Sequence, residues 1–204
     1  MNSRASEIFD LSLDHLQLVS ISVAIAAAIA LPAAVLLSRQ TSLRRWVVGF
    51  ANLAQTIPSL ALFGFLLPIP LIGGIGKRTA IVALALYALL PMLRNTLVGI
   101  LGVDRTVREL AVAMGMTTRQ ILWQVELPLA APSILAGLRI ATVATIGSAT
   151  IAAAIGGGGL GVFIFRGIAM LDTPTVLAGA IPAALMALAA DEGLEWIERR
   201  FSPR

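Results

Sequence analysis

Five apolar stretches, at about residues 16–37, 47–72, 79–101, 129–155 and 175–197, make up most of this 204-residue chain. Each is at least as long as the roughly 20 residues that carry an α-helix across the hydrocarbon core of a bilayer. Lipid offers no partner to backbone N–H and C=O groups, so such runs must form helices that satisfy those groups internally. Composition agrees: 58% hydrophobic and 13% charged residues leave too little polar surface to cover a water-soluble globule of this size. The expected fold is an all-α membrane protein of five transmembrane helices. A single domain covers 16–198, a short polar segment 1–15 precedes it, and a tail 199–204 comes after it.

Sidedness follows from the basic residues. Arg39, Arg44, Arg45, Arg105, Arg108, Arg119, Arg199, Arg200 and Arg204 fall between or after spans on one side. Arg4, Lys77, Arg78 and Arg166 fall on the other, and Arg94 and Arg139 lie inside spans. The richer side is the cytoplasmic one, which puts the N-terminus outside and the C-terminus inside. Trp46, Trp123 and Trp196 also fall on the richer side, as interfacial anchors do. Glu7, Asp10 and Asp14 stand where a secretory signal would carry positive charge, so the first run is expected to remain as a span. A net charge of +4, scattered over span ends, is explained by topology and gives no nucleic-acid patch. The chain has no cysteine, which excludes disulfides and thiolate metal sites. The one histidine, His15, opens the first apolar run, where a ring at the membrane interface is the expected role.

Pro32, Pro58, Pro91 and Pro182 fall inside spans and are expected to kink them. With Asn52, Gln55, Thr56 and Ser59 in the second span, they suggest a bundle with a polar interior. Such side chains serve either a transport path or hydrogen bonds between helices.

The longest polar interruption is DRTVRELAVAMGMTTRQILWQVELP, about 104–128. Residues 105–114 contain no helix breaker, and Gly115 can take the left-handed conformation that ends a helix. Thr117 and Gln120 have capping-box spacing, which predicts a second short helix with Ile121, Leu122 and Val125 on one face, stopped by Pro128. Spacing alone leaves two readings: a knob that a soluble partner grips, or a helix lying on the membrane surface.

Glu109, Ala111, Gly115, Leu127 and Pro128, followed by Pro132, Gly137 and Arg139, resemble the E-A-A-x-x-x-G coupling loop of permease subunits of type I binding-protein-dependent ABC importers. Leu110 departs from the signature, which has alanine there, and is expected to pack harmlessly. QTIPSLAL (55–62), LYALLPMLRNT (86–96) and GGGGLGVFIFRG (156–167) resemble the branch that imports osmoprotectants such as glycine betaine, carnitine and choline. The resemblance implies a multi-pass protein of the bacterial inner membrane, forming half of a pore with an identical copy or a paralogue. It implies two cytoplasmic ABC ATPase subunits, an extracytoplasmic substrate-binding protein and no resident cofactor or metal. It gives the coupling loop to Glu109, Ala111, Gly115, Thr117, Gln120 and Pro128. Gln55, Thr56, Ser59, Asn95 and Thr142 are the candidates for lining the path.

The run from Gly156 to Gly161 fits G-x-G-x-x-G, but a membrane bundle lacks the βαβ unit that gives this motif its phosphate chemistry. Gly156, Gly158, Gly159 and Gly161 are expected to unwind the outer end of the fourth span. The resemblance places them near an outer gate and the docked binding protein; a flexible helix end without contacts is the plainer alternative. Arg94 and Arg139 are costly at membrane depth unless paired, and Asp191, Glu192 and Glu195 are the available acids. A structural ion pair and a gating role are both open. Ser148 has no base expected within reach, His15 being assigned to the far interface, and no phosphate-binding P-loop is present. Energy is therefore expected from a partner. The rival readings are the same importer fold carrying another solute such as an amino acid, and a secondary transporter. The latter needs an ion site at the midplane, where these spans lack carboxylates.

Overall fold

The computed structural model describes the backbone of residues 2–70 and 72–201, and the side chains of 5–49, 52, 56–70 and 72–201. All regular structure among them is helical. In chain order the elements are α1 (Asn2–Ser38), α2 (Thr41–Gln55), α3 (Ser59–Leu66), α4 (Lys77–Leu101), α5 (Arg105–Ala113), α6 (Thr118–Ile121), α7 (Leu127–Ile151), α8 (Gly161–Ala169) and α9 (Thr173–Phe201). A π-helical turn, Leu122–Glu126, joins α6 to α7, and a 3-10 turn, Ala152–Ile155, ends α7.

Helices α1, α4 and α7 form the centre. Leu18, Val19, Leu84, Ile146 and Ala149 fill one half of their interface, and Ala26, Ala30, Ala34, Met92, Leu93 and Ala141 the other. Lipid tails are as apolar as leucine, so helices associate in membranes through close packing, which small residues permit. A Cβ on Gly137 would lie 2.7 Å from Asn95 Cβ, and one on Gly99 would lie 2.8 Å from Ser133 Cβ. These two glycines let α4 and α7 approach each other. Helix α9 closes the bundle against α7 and α8.

Among the described residues, four helical stretches are long and apolar enough to cross a membrane: Ala5–Ser38, Lys77–Leu101, Thr118–Ile155 and Thr173–Phe201. At 25 residues, α4 alone rises about 37 Å, more than a ~30 Å hydrocarbon core. The expected second span, 47–72, is not a continuous helix. It breaks at 56–58, with α2 before the break and α3 after it. Pro58 has no N–H to donate and precedes the first residue of α3 in an extended conformation, so a complete interruption replaces the expected kink. The Tyr87 hydroxyl donates to the Ile57 carbonyl oxygen at 2.5 Å, satisfying a group that the break exposes. Pro32, Pro91 and Pro182 sit within uninterrupted helices.

Helix α1 runs from Asn2, so the polar N-terminal residues belong to the same helix as the first span. One further expectation changes. The second loop helix is not stopped by Pro128. It passes through the π turn into α7, with Pro128 in the first turn of that helix. In the π turn the Leu127 N–H reaches back to the Leu122 carbonyl. A wider turn relieves the clash between a proline ring and the carbonyl of the preceding turn, so the helix continues.

Charge pairs mark the two ends of the bundle. Asp14 pairs with Lys77 and Glu7 with Arg166, each at 2.8 Å. At the other end Arg39 and Arg108 converge on Glu126. The turn after α1 and the loop carrying α5 therefore share one end.

Candidate functional site

Asp104 starts the loop after α4 as an N-cap, its carboxylate accepting from the Thr106 N–H at 2.7 Å. Helix α5 ends in a Schellman arrangement: the Gly115 N–H donates to the Val112 carbonyl at 2.9 Å and the Met116 N–H to the Ala111 carbonyl at 3.1 Å. Gly115 has a φ of +78°, the left-handed conformation expected of it. Thr117 then opens the next helix with the expected capping box. Its N–H donates to Gln120 Oε1 at 2.8 Å, and the Gln120 N–H donates to Thr117 Oγ1 at 3.3 Å.

Helix α5 has two faces. Ala111 is buried and Arg108 half-buried, both turned toward the bundle. Val107, Leu110 and Met114, at helical spacing, are exposed, as is Trp123 on the following turn. Leu110 lies off the Ala111 face and is 60% exposed. Glu109 is exposed and held by Arg105 of the same helix, Nε to Oε1 at 2.7 Å.

The structure adds one residue that sequence reasoning missed. Glu126 is fully buried, with Arg39 Nη2 2.5 Å from Oε2 and Arg108 Nε 3.0 Å from Oε1. Arg108 Nη2 also donates to the Ile100 carbonyl in the last turn of α4. A signal was available, since Glu126 falls at helical spacing on the apolar face of Ile121, Leu122 and Val125.

The path candidates are brought together only in part. Asn52, Arg94 and Asn95 line a cavity of about 410 Å³ with Val48, Pro91 and Ile140. Asn95 Nδ2 also donates to the Pro91 carbonyl at 2.8 Å. Thr142 donates to Leu138 of its own helix at 2.8 Å and is not among the lining residues. Thr56 and Ser59 flank the α2–α3 break, and the side chain of Gln55 lies outside the described residues. Arg94 has no ion-pair partner among the described residues. Arg139 pairs with Asp191 at 3.5 Å, Glu195 at 3.4 Å and Glu198 at 3.6 Å, so Glu198 rather than Glu192 completes its acid set.

At the opposite end the glycine run does unwind α7. Gly156, Gly158 and Gly159 all have left-handed φ values. Gly161 starts α8 against the Thr150 carbonyl, where a Cβ would overlap it. His15 is not an interfacial ring: it is fully buried, Nε2 3.1 Å from the Ile146 carbonyl, with Nδ1 accepting from the Leu160 N–H at 3.3 Å. A carbonyl on one side and an N–H on the other fix the neutral Nε2–H tautomer. His15 reaches α7 two residues from Ser148 rather than standing far from it, but both ring nitrogens are engaged and Ser148 is not a partner. A Cβ on Gly159 would meet His15 Nδ1 at 2.9 Å, so the ring fits only against a glycine.

Residues 20–203 match the family described as binding-protein-dependent transport system inner membrane component. The chain belongs to that family. The permease is 46% identical over 190 residues to the carnitine transport permease protein OpuCD of Listeria monocytogenes, covering 93% of this chain and 84% of that protein. It is 41% identical over 191 residues to the glycine betaine/carnitine/choline transport system permease protein OpuCB of Bacillus subtilis, covering 94% and 87%. The permease also shares its fold with a chain of the MetNI methionine ABC transporter in an inward-facing form, with a TM-score of 0.91, full coverage of both chains and 22% identity.

Proposed function

We propose that this permease is half of the membrane pore of an ATP-driven importer for small quaternary-ammonium osmoprotectants such as glycine betaine, carnitine or choline. The observation that carries the solute class is the 46% identity to a carnitine permease across nearly the whole chain. Methionine is the runner-up solute only through a fold likeness at 22% identity, too distant to carry a substrate.

In this reading α2 and α3 together make a fifth crossing, the N-terminus lies outside, and the end bearing Arg39, Arg108 and Glu126 faces the cytoplasm. Two ATPase subunits dock on the coupling loops of a pair of permease chains. The exposed stripe of Val107, Leu110 and Met114 supports this, because apolar side chains exposed on a helix that projects from a polar loop need a partner surface. Gly115, Thr117 and Gln120 set the direction of the chain between the two loop helices, Ala111 seats α5 on the bundle, Glu109 presents charge to the partner, and Pro128 roots the loop in α7. Asn95, with Asn52 and Arg94, faces the path near its cytoplasmic end; Thr56, Ser59, Gln55 and Thr142 are the remaining lining candidates. The turn of Gly156, Gly158, Gly159 and Gly161 lies at the outer gate, under the binding protein. A pathway subunit should hold cargo weakly, since cargo must also leave.

The test is uptake by the complete transporter in liposomes, with ATP inside and labelled solute outside. Glycine betaine, carnitine and choline are compared with methionine and a sugar. Uptake of at least one of the amines, dependent on ATP and on the binding protein, is expected. Uptake of methionine or the sugar with all three amines ignored would overturn the solute class and leave the importer fold standing.

A further inference from the structure

We infer that Glu126 is a positioning residue for energy coupling, the joint through which a push on α5 reaches α1 and α7. This rests on the importer reading above and names the residue that makes its lever work.

The carboxylate is fully buried at the root of α7, in the one π-helical turn among the described residues. It holds two arginines from distant parts of the chain, and the two contacts differ in kind. Arg39, in the turn after α1, donates a hydrogen bond to Oε2 at 2.5 Å. Arg108, on α5, stands with Nε 3.0 Å from Oε1, yet neither atom completes a hydrogen bond there. The Arg108 guanidinium spends its directed bond on the Ile100 carbonyl at the end of α4. One carboxylate therefore joins the end of α1 and the root of α7 to the loop, while Arg108 itself ties the loop to α4.

The difference in kind matters for motion. A hydrogen bond weakens steeply as its angle closes, whereas a charge–charge attraction depends on separation alone. The Arg39 arm fixes Glu126 to α1 in one orientation. The Arg108 arm lets α5 tilt or slide while charge stays near charge. Loss of the carboxylate would leave two guanidiniums with no counter-charge between them, and α5 would move without carrying α1 or α7 with it.

The experiment uses the complete transporter in liposomes, with whichever of glycine betaine, carnitine and choline the wild type imports as the solute. ATP hydrolysis and uptake are measured together, with and without the loaded binding protein, alongside retention of the ATPase subunits through purification. Glu126→Gln is expected to retain those subunits while the ratio of solute imported to ATP hydrolysed falls by roughly tenfold, within the usual range of coupling between sites. Arg108→Lys keeps the charge without the fork, so at least about half of the ratio should survive; Arg39→Lys loses the directed bond and should cost more. Glu126→Asp should restore part of what Gln loses. If Glu126→Gln does not assemble, Arg108→Gln serves instead, since its side chain is partly exposed and its loss should uncouple an assembled complex. An unchanged ratio in Glu126→Gln, or in Arg108→Gln where that variant stands in, overturns the proposal. So does equal damage from Arg108→Lys and Arg108→Gln. A wild-type complex without ATP-dependent uptake of glycine betaine, carnitine or choline would instead refute the solute class of that reading.

Discussion

Replacing Gly115 separates backbone conformation from packing more cleanly than any other change in the loop. Its φ is +78°, and no atom lies within 4 Å of the place where a Cβ would go. A side chain there meets no neighbour, so the whole cost is conformational. For an L-residue with a Cβ, the left-handed region costs about 1–2 kcal/mol. Spread over a loop that must hold one shape to dock, that lowers the population of the docking-competent form by roughly 5- to 30-fold at about 1.4 kcal/mol per factor of ten. Valine should sit at the upper end, because β-branching tolerates this region least. Asparagine should recover most of the loss, since it visits the left-handed region readily. The assay is ATP hydrolysis by the reconstituted transporter, titrated with binding protein loaded with glycine betaine, for the Gly, Asn, Ala and Val forms. The expected order of stimulation is Gly, then Asn, then Ala, then Val, with thermal stability of the permease unchanged. Equal stimulation in all four would show that the turn conformation does not matter to coupling. Equal loss in Asn and Val would show that bulk at this position, not backbone, decides the outcome.

Three further predictions use other parts of the molecule. Gly137→Leu should separate α4 from α7, because even a Cβ falls 2.7 Å from Asn95 Cβ; overpacking of this kind costs about 1–3 kcal/mol, read as a lowered aggregation temperature in detergent. His15→Ala should strand the buried Leu160 N–H at a cost of about 1–3 kcal/mol, read the same way, whereas a stability like that of wild type would mean that the ring is not a fastening. Reporter fusions after residues 75, 120 and 204 should report outside, inside and inside; an outside signal at 120 would refute both the orientation and the coupling role of the loop.

The parts of the structure that depend on near neighbours in sequence were legible in advance. Gly115 ends a helix and Thr117–Gln120 starts one because each needs only residues within a turn or two. The long apolar runs became helices because lipid leaves them no other choice. The features that could not be read depend on residues far along the chain. His15 reads as an interfacial ring until Leu160 and Ile146 are seen closing around it. Glu126 reads as one more polar loop residue until Arg39 arrives from 87 positions away. The break at Pro58 and the continuity at Pro128 show the same limit from the other side. Both prolines lack an N–H, and their surroundings decide whether the helix breaks or runs on. Tyr87 is placed to satisfy the carbonyl exposed at the first, and a π turn opens room at the second.

The π turn has a consequence for the girth of the helix rather than for the aim of the loop. An α-helix advances about 100° about its axis per residue, but the i→i+5 turn at Leu122–Glu126 takes up one more residue in a single revolution, so Ile121 and Glu126, five places apart, are both buried. Removing one residue from 122–126 would let the helix close up as regular α, with Ile121 then four places from Glu126 and still on its face, so the upstream segment would keep its direction and only the widened turn would be lost. A surplus residue is thus hidden inside one widened turn, where it changes the local girth of the helix and leaves the direction of the loop alone.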